Sequence, residues 1–101
     1  GGLNESDFKQ LQQDGLPSSR LERNIIVDMP LTQILADAEM AVSGKQVKDA
    51  LQRNAVFING EAKSLDDNMK SAEVFAEEKA FFGGFYLGKL GKKKYHLFEV
   101  A

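Results

Sequence analysis

From Ser43 to Gly60 the chain runs without a spacer from a capped helix into a strand and a two-residue reversal. No other stretch narrows the fold as far. Ser43 and Gln46 have the spacing of a capping box, in which each side chain satisfies a backbone donor that the helix start leaves free. Val47, Ala50 and Leu51 recur on one helix face, which leaves Lys45, Lys48 and Arg53 on the solvated remainder. Val56-Phe57-Ile58 has strand propensity. Asn59-Gly60 behind it supplies two residues that accept positive φ, as a two-residue hairpin turn requires, and Glu61 to Ser64 is the returning strand. A helix pinned against a hairpin holds its basic groups rigidly, in the way a site for a phosphate backbone needs.

The rest of the chain extends this pattern. Residues 1–16 read as a linker remnant, Gly1-Gly2, and a short helix over residues 3–14. Asn4 is the N-cap, Asp7 stands at the third helical position, and Leu3 with Phe8 matches a hydrophobic staple. Asp14-Gly15 followed by Pro17 is a stop signal. Residues 17–101 are expected to form one domain, read as RNA-binding from the basic groups that the Ser43 helix holds. Residues 17–28 are expected to be an extended connector, with one short strand at Ile25 to Val27. Pro30 is expected at the first helical position, where its missing N–H costs nothing. Leu31, Ile34, Leu35 and Ala38 share a face, and Met40 to Val42 join this helix to the Ser43 helix as a helical hairpin. Residues 65–80, with Asp66, Asp67, Glu73, Glu77 and Glu78, read as an acidic loop with extended pieces. Residues 81–100 read as a second hairpin. Phe85 and Leu87 alternate with Tyr86 and Gly88; Tyr95 and Leu97 alternate with His96, Phe98 and Val100. Gly91 and the lysines make its turn, and Gly83-Gly84 marks a bulge or bend. The expected class is α+β: a small helical hairpin packed on an antiparallel sheet built from hairpins.

Composition excludes several functions. The 101 residues argue for one domain. The chain has no Cys, so it can form no disulfide and no thiolate metal site, which fits a reducing, cytoplasmic setting. No apolar run approaches the ~20 residues of a membrane span. Glu5 and Asp7 interrupt the first ten residues, where a signal peptide would need an apolar segment. His96 is the single imidazole, so no metal centre is expected. Asp66-Asp67 with Glu73 fits no Ca²⁺ loop spacing. Neither Ser18-Ser19 nor any other Ser sits in a nucleophile motif. No catalytic constellation can be assembled, and no cofactor is expected in this chain.

The net charge of −2 argues by itself against nucleic acid. The distribution argues the other way. Of 13 basic residues, seven lie in two windows, Lys45, Lys48 and Arg53, then Lys89, Lys92, Lys93 and Lys94; Asp49 is the one acid inside them. Summed charge hides a basic face when the opposite face is acidic. Taken alone, a lysine turn is a solvated hairpin tip that blunts edge aggregation. Tyr95, Tyr86, Phe82 and Phe85 have rings that stack on bases in other RNA-binding proteins. At strand spacing Phe82 and Phe85 are assigned to the core, while Tyr95 stands beside the lysines. The candidate RNA contacts are Ser43, Lys45, Lys48, Arg53, Lys89, Lys92, Lys93, Lys94 and Tyr95.

Two helices followed by Ala55-Val56-Phe57-Ile58-Asn59-Gly60-Glu61 resemble the small RNA-binding fold named after the fourth protein of the small ribosomal subunit. Further elements narrow the resemblance. Gln12-Gln13-Asp14-Gly15-Leu16-Pro17, Asn54-Ala55, Phe82-Gly83 and Gly91-Lys92-Lys93-Lys94-Tyr95 follow in the order found in the C-terminal domain of bacterial tyrosyl-tRNA synthetase. The resemblance covers nearly the whole chain. It implies a module hung by a flexible linker from a catalytic domain, holding tRNA for tyrosine at the anticodon stem and long variable arm. ATP and tyrosine would bind that catalytic domain, whose His-x-Gly-His motif is missing here. The fragment would be an inert monomer, and the parent a homodimer through its catalytic domain. The sequence departs from the family at Gly44, where a basic residue is usual after the capping Ser. It departs again at Lys48-Asp49, where the family has two basic residues. These changes shift the expected load toward the lysine turn. Two other readings compete: the same fold on another structured RNA such as ribosomal RNA, or a protein-interaction domain using the acidic segment.

Overall fold

A computed structural model of the chain describes residues 4–101, so Gly1-Gly2 and the Leu3 half of the expected staple lie outside it. The first helix, α1, spans Glu5–Gln13. Asn4 is its N-cap as expected, and it closes a full capping box with Asp7: Asp7 N–H donates to Asn4 Oδ1 (3.0 Å) and Asn4 N–H to Asp7 Oδ2 (2.8 Å). Gly15 ends it at φ +98°, the left-handed conformation that glycine adopts without steric cost.

The segment 17–28 departs from expectation. Its strand, β1, is Ser18–Leu21, and Ile25-Ile26 belong instead to a single helical turn, α2, at Arg23–Ile26. Ser-Ser-Arg-Leu has little strand propensity of its own. It is drawn into the sheet by the open edge of the last strand, through Leu97 N–H to Pro17 O (2.8 Å) and Ala101 N–H to Leu21 O (3.0 Å).

The helical hairpin is α3, Leu31–Asp37, and α4, Gly44–Gln52. Pro30 occupies the N-cap of α3 rather than its first turn. Pro30 has no side-chain cap to give, and Asn68 supplies one from far along the chain. Its carbonyl accepts Leu31 N–H (2.8 Å) and its Oδ1 accepts Thr32 N–H (3.0 Å). At α4, Ser43 Oγ accepts Gln46 N–H at a long 3.4 Å, while Gln46 Oε1 reaches past the cap to Val42 N–H (3.0 Å). The box is thus displaced by one residue.

Strands β2 (Val56–Ile58) and β3 (Glu61–Lys63) close on Asn59 (φ 50°) and Gly60 (φ 84°), the positive pair of a type I′ turn. The acidic stretch is not extended. It coils into a 3₁₀ turn at Leu65–Asp67, a short helix α5 at Ser71–Val74, and a second 3₁₀ turn at Glu77–Lys79. Here Asp67 bonds Ser64 N–H (2.9 Å), and Ser71 Oγ donates to Met29 O. The first is a local side-chain bond of the kind that favours turns over strands; the second ties α5 to the chain before α3. Then β4, Phe85–Leu90, and β5, Lys94–Val100, form the second hairpin.

The five strands lie in the order β1-β5-β4-β2-β3. Every pairing is antiparallel except β1 with β5, so the sheet is mixed and not the antiparallel sheet the hairpins suggested. The class is α+β. One sheet face carries Val56, Ile58, Tyr86, Phe98 and Val100 into the main core with α2 to α5. The other presents Phe85 and Leu97 to Phe8 of α1. That second cover explains why β4 and β5 bury residues on both faces where a half-buried alternation was expected.

Candidate nucleic-acid interface

Helix α4 turns Val47, Ala50 and Leu51 fully inward. The same rotation puts Lys45, Lys48, Asp49 and Arg53 on the exposed side. Lys92 and Lys93 stand in the β4–β5 turn, and Lys94 opens β5 opposite Leu90. The two basic windows are far apart in sequence, yet the fold joins them at one point. Gly91 N–H donates to Ala55 O (2.8 Å), two residues beyond Arg53. This bond ties the chain just after α4 to the tip of the lysine hairpin.

Among the described residues the one ion pair within 4 Å is Arg23 with Glu77 (3.5 Å). None of the seven candidate basic groups is neutralised by a carboxylate at that range. Asp49 departs in sign on the exposed face of α4. Asp37 and Glu39 line a groove of about 690 Å³ whose other walls include Lys93 and Lys94. Ser43, placed among the RNA contacts, has its hydroxyl turned to its own helix. Gly44 lies against Thr32, whose Cβ would be 3.7 Å from a Cβ added there.

The aromatic candidates separate cleanly. Tyr86 is fully buried. Its hydroxyl is consumed by Phe75 O (2.8 Å) and Ala76 O (2.7 Å), so it offers no face to a base. Phe85 is core, stacked on Phe8 at 5.8 Å. Phe82 is not: it sits in the Phe81–Gly84 turn at φ 51°, is 42% exposed, and meets Phe8 edge-on at 5.5 Å. Strand β4 begins only at Phe85, and Phe82 lies in the tight turn closed by the isolated Phe81–Phe85 bridge. Tyr95 is 41% exposed.

Tyr95 does not stand alone. Strand register places Phe57 opposite Lys89, and Lys89 opposite Tyr95. The Lys89 ammonium lies 5.5 Å from the Phe57 ring centroid and 5.6 Å from that of Tyr95, inside the ~6 Å reach of a cation–π contact. Phe57 was absent from the sequence-based candidates. A signal for it existed: Val56 and Ile58 point to the core, so a residue between them faces the opposite side.

His96 is 4% exposed, with Nε2 at 2.7 Å from Ser19 Oγ and its ring tilted on Phe98 at 4.7 Å. Burial lowers its pKa below the ordinary 6.5. No group of three or more His, Cys, Asp or Glu side chains among the described residues could hold a metal. No described helix is long and apolar enough to cross a membrane.

Against known proteins, residues 7–98 match the family model described as the tyrosine–tRNA ligase SYY-like C-terminal domain. The chain is 40% identical over 97 residues to the tyrosine–tRNA ligase of Salmonella arizonae, which covers 96% of this chain and 21% of that relative. It is 39% identical over 95 residues to the tyrosine–tRNA ligase of Salmonella newport, covering 94% and 20%. The chain thus spans about a fifth of the length of the curated relatives it matches.

Proposed function

Because this chain belongs to the SYY-like C-terminal domain family of tyrosine–tRNA ligases, we propose that it is the tRNA-holding module of such a ligase. It would grip tRNA for tyrosine along the anticodon stem and the long variable arm. The observation that carries this reading is the unneutralised basic set. Lys45 and Lys48 on α4, Arg53 at its C-cap, Lys92 and Lys93 in the turn and Lys94 at the start of β5 are exposed, and the Gly91–Ala55 hydrogen bond fastens the two windows together. Each phosphate met by one of these groups releases counterions, which drives binding but selects no sequence. Selectivity for one tRNA would come from shape, with the two windows set at a fixed angle against a stem and its projecting arm.

The parent would be an ATP-dependent tyrosine–tRNA ligase of the cytoplasm. ATP and tyrosine would bind its catalytic domain, and that domain would make it a homodimer. This chain alone would be a monomer without catalytic activity.

Five to seven phosphate contacts give a slope of log K against log salt of roughly −4 to −6. The test is a titration of the chain with tRNA for tyrosine at several salt concentrations, following backbone amide shifts, with a tRNA lacking the long arm as control. Salt-sensitive shifts at residues 43–53 and 89–95, stronger with the long arm, are expected. Replacing both Lys92 and Lys93 by Ala should weaken binding and make the slope shallower by roughly two. A double variant with a native melt and unchanged affinity would remove the lysine turn from the interface. Preference for ribosomal RNA fragments would reassign the partner.

A further inference from the structure

We infer that Phe57, Lys89 and Tyr95 form a stacking platform for two unpaired nucleobases, with the phosphate between them over Lys89. The inference rests on the RNA reading above and adds a contact to bases where that reading has contacts to phosphates. The three residues form one rung across β2, β4 and β5, with Lys89 in the middle. Neighbouring strands are about 4.8 Å apart, so the two ring-bearing strands lie roughly 10 Å apart. That separation is too wide for one base to cover both rings. It suits two splayed nucleotides, one on each ring.

The rung lies on the sheet face opposite the main core. Further along that face, Phe85 and Leu97 are covered by Phe8 of α1. Phe57 and Lys89 stay half-buried and Tyr95 exposed. An apolar partner would gain nothing from the ammonium held within 6 Å of both rings. A nucleic acid uses all three groups, since bases stack on aromatic faces and the linking phosphate is anionic. Lys92 and Lys93, in the turn that follows β4, extend the positive charge along the path such a strand would take. Paired bases cannot reach a flat sheet in this way, so the ligand is a loop, bulge or end with its bases unstacked.

The experiment measures binding of the same tRNA by the unaltered chain, by Phe57→Leu and by Phe57→Tyr, at three salt concentrations. Stacking on an aromatic side chain is worth about 1–3 kcal/mol per base, so Phe57→Leu should lose about five-fold or more in affinity. Phe57 is uncharged, so the salt slope should not change. Phe57→Tyr keeps the ring and should bind like the parent chain. In parallel, nuclear Overhauser contacts between Phe57 ring protons and base protons are sought in the unaltered complex. They decide the matter if Phe57→Leu melts early. Salt-dependent binding with neither ring-to-base contacts nor loss in a folded Phe57→Leu overturns the platform and leaves the RNA reading intact. Absence of any salt-dependent binding by the unaltered chain removes both.

Discussion

His96 shows how one residue couples chemistry to fold. It is buried between β1 and the core and bonded to Ser19, and burial disfavours its charged form. The folded pKa is therefore below the unfolded value near 6.5. Between those values the unfolded chain binds the extra proton, so stability rises with pH. The contribution is complete above about pH 6.5 and is lost as pH falls from there toward the folded pKa. The chain contains a single His, which makes the effect assignable. Thermal melts of the unaltered chain should drop between pH 7.5 and 5.5. His96→Gln, which can still bond Ser19, should flatten that dependence. An equally steep curve in the variant would show that another group titrates. The burial of His96 was not legible from its sequence, where alternation assigns it only a face. Its hydrogen-bond partner, Ser19, comes from β1, whose Ser-Ser-Arg-Leu announces no strand.

At the scale of elements, both helices of the hairpin end in the same way with unlike residues. After α4, Asn54 adopts φ 54° and Ala55 N–H bonds Ala50 O (2.9 Å). After α3, Glu39 adopts φ 61° and Met40 N–H bonds Leu35 O (3.1 Å). These are Schellman ends, which favour glycine and tolerate asparagine. A glutamate there carries a Cβ penalty of about 1–2 kcal/mol, offset in part by its smaller backbone entropy in the unfolded chain. Glu39→Gly should therefore stabilise the protein by about 0.5–1 kcal/mol, raising the melting midpoint by a few degrees. A lower midpoint would mean that the Glu39 side chain contributes more than its backbone costs. The helices themselves were legible from Ser43, Gln46 and the apolar spacing. The end of α3 was placed only by the expected Met40–Val42 connection and falls two residues earlier, at Asp37; the Glu39 conformation that closes it had no signal, since Ala38-Glu39-Met40 contains no glycine or asparagine.

For the whole molecule, Arg23 and Tyr86 join parts that sequence keeps apart. Arg23 at the start of α2 donates to Phe75 O and, at 3.2 Å, to the Tyr86 hydroxyl on β4. Tyr86 in turn bonds Phe75 O and Ala76 O beyond α5. Removing the hydroxyl leaves Ala76 O without that donor and the guanidinium with one acceptor fewer. Hydrogen bonds to charged groups are worth about 1.5–3 kcal/mol. Tyr86→Phe should thus cost about 2 kcal/mol in chemical denaturation, with affinity for RNA unchanged. An affinity loss in a variant that still folds would instead place Tyr86 near the ligand. The acidic stretch 66–78, which suggested a protein partner, partly serves this architecture: Asn68 caps α3, and Ser71 bonds Met29.

Local rules determined the Asn4 cap of α1, the α4 face, the Asn59-Gly60 turn and the two basic windows, because each depends on residues within a turn or two of one another. The family resemblance was equally readable, since its motifs are contiguous. Tertiary structure alone decided the parallel β1–β5 pairing and the capping of α3 by Asn68. Each of these satisfies backbone groups with partners far away in the chain. The Phe57–Lys89–Tyr95 rung belongs with them. Alternation assigns each residue to a face, but register across three strands is what brings two rings to one ammonium.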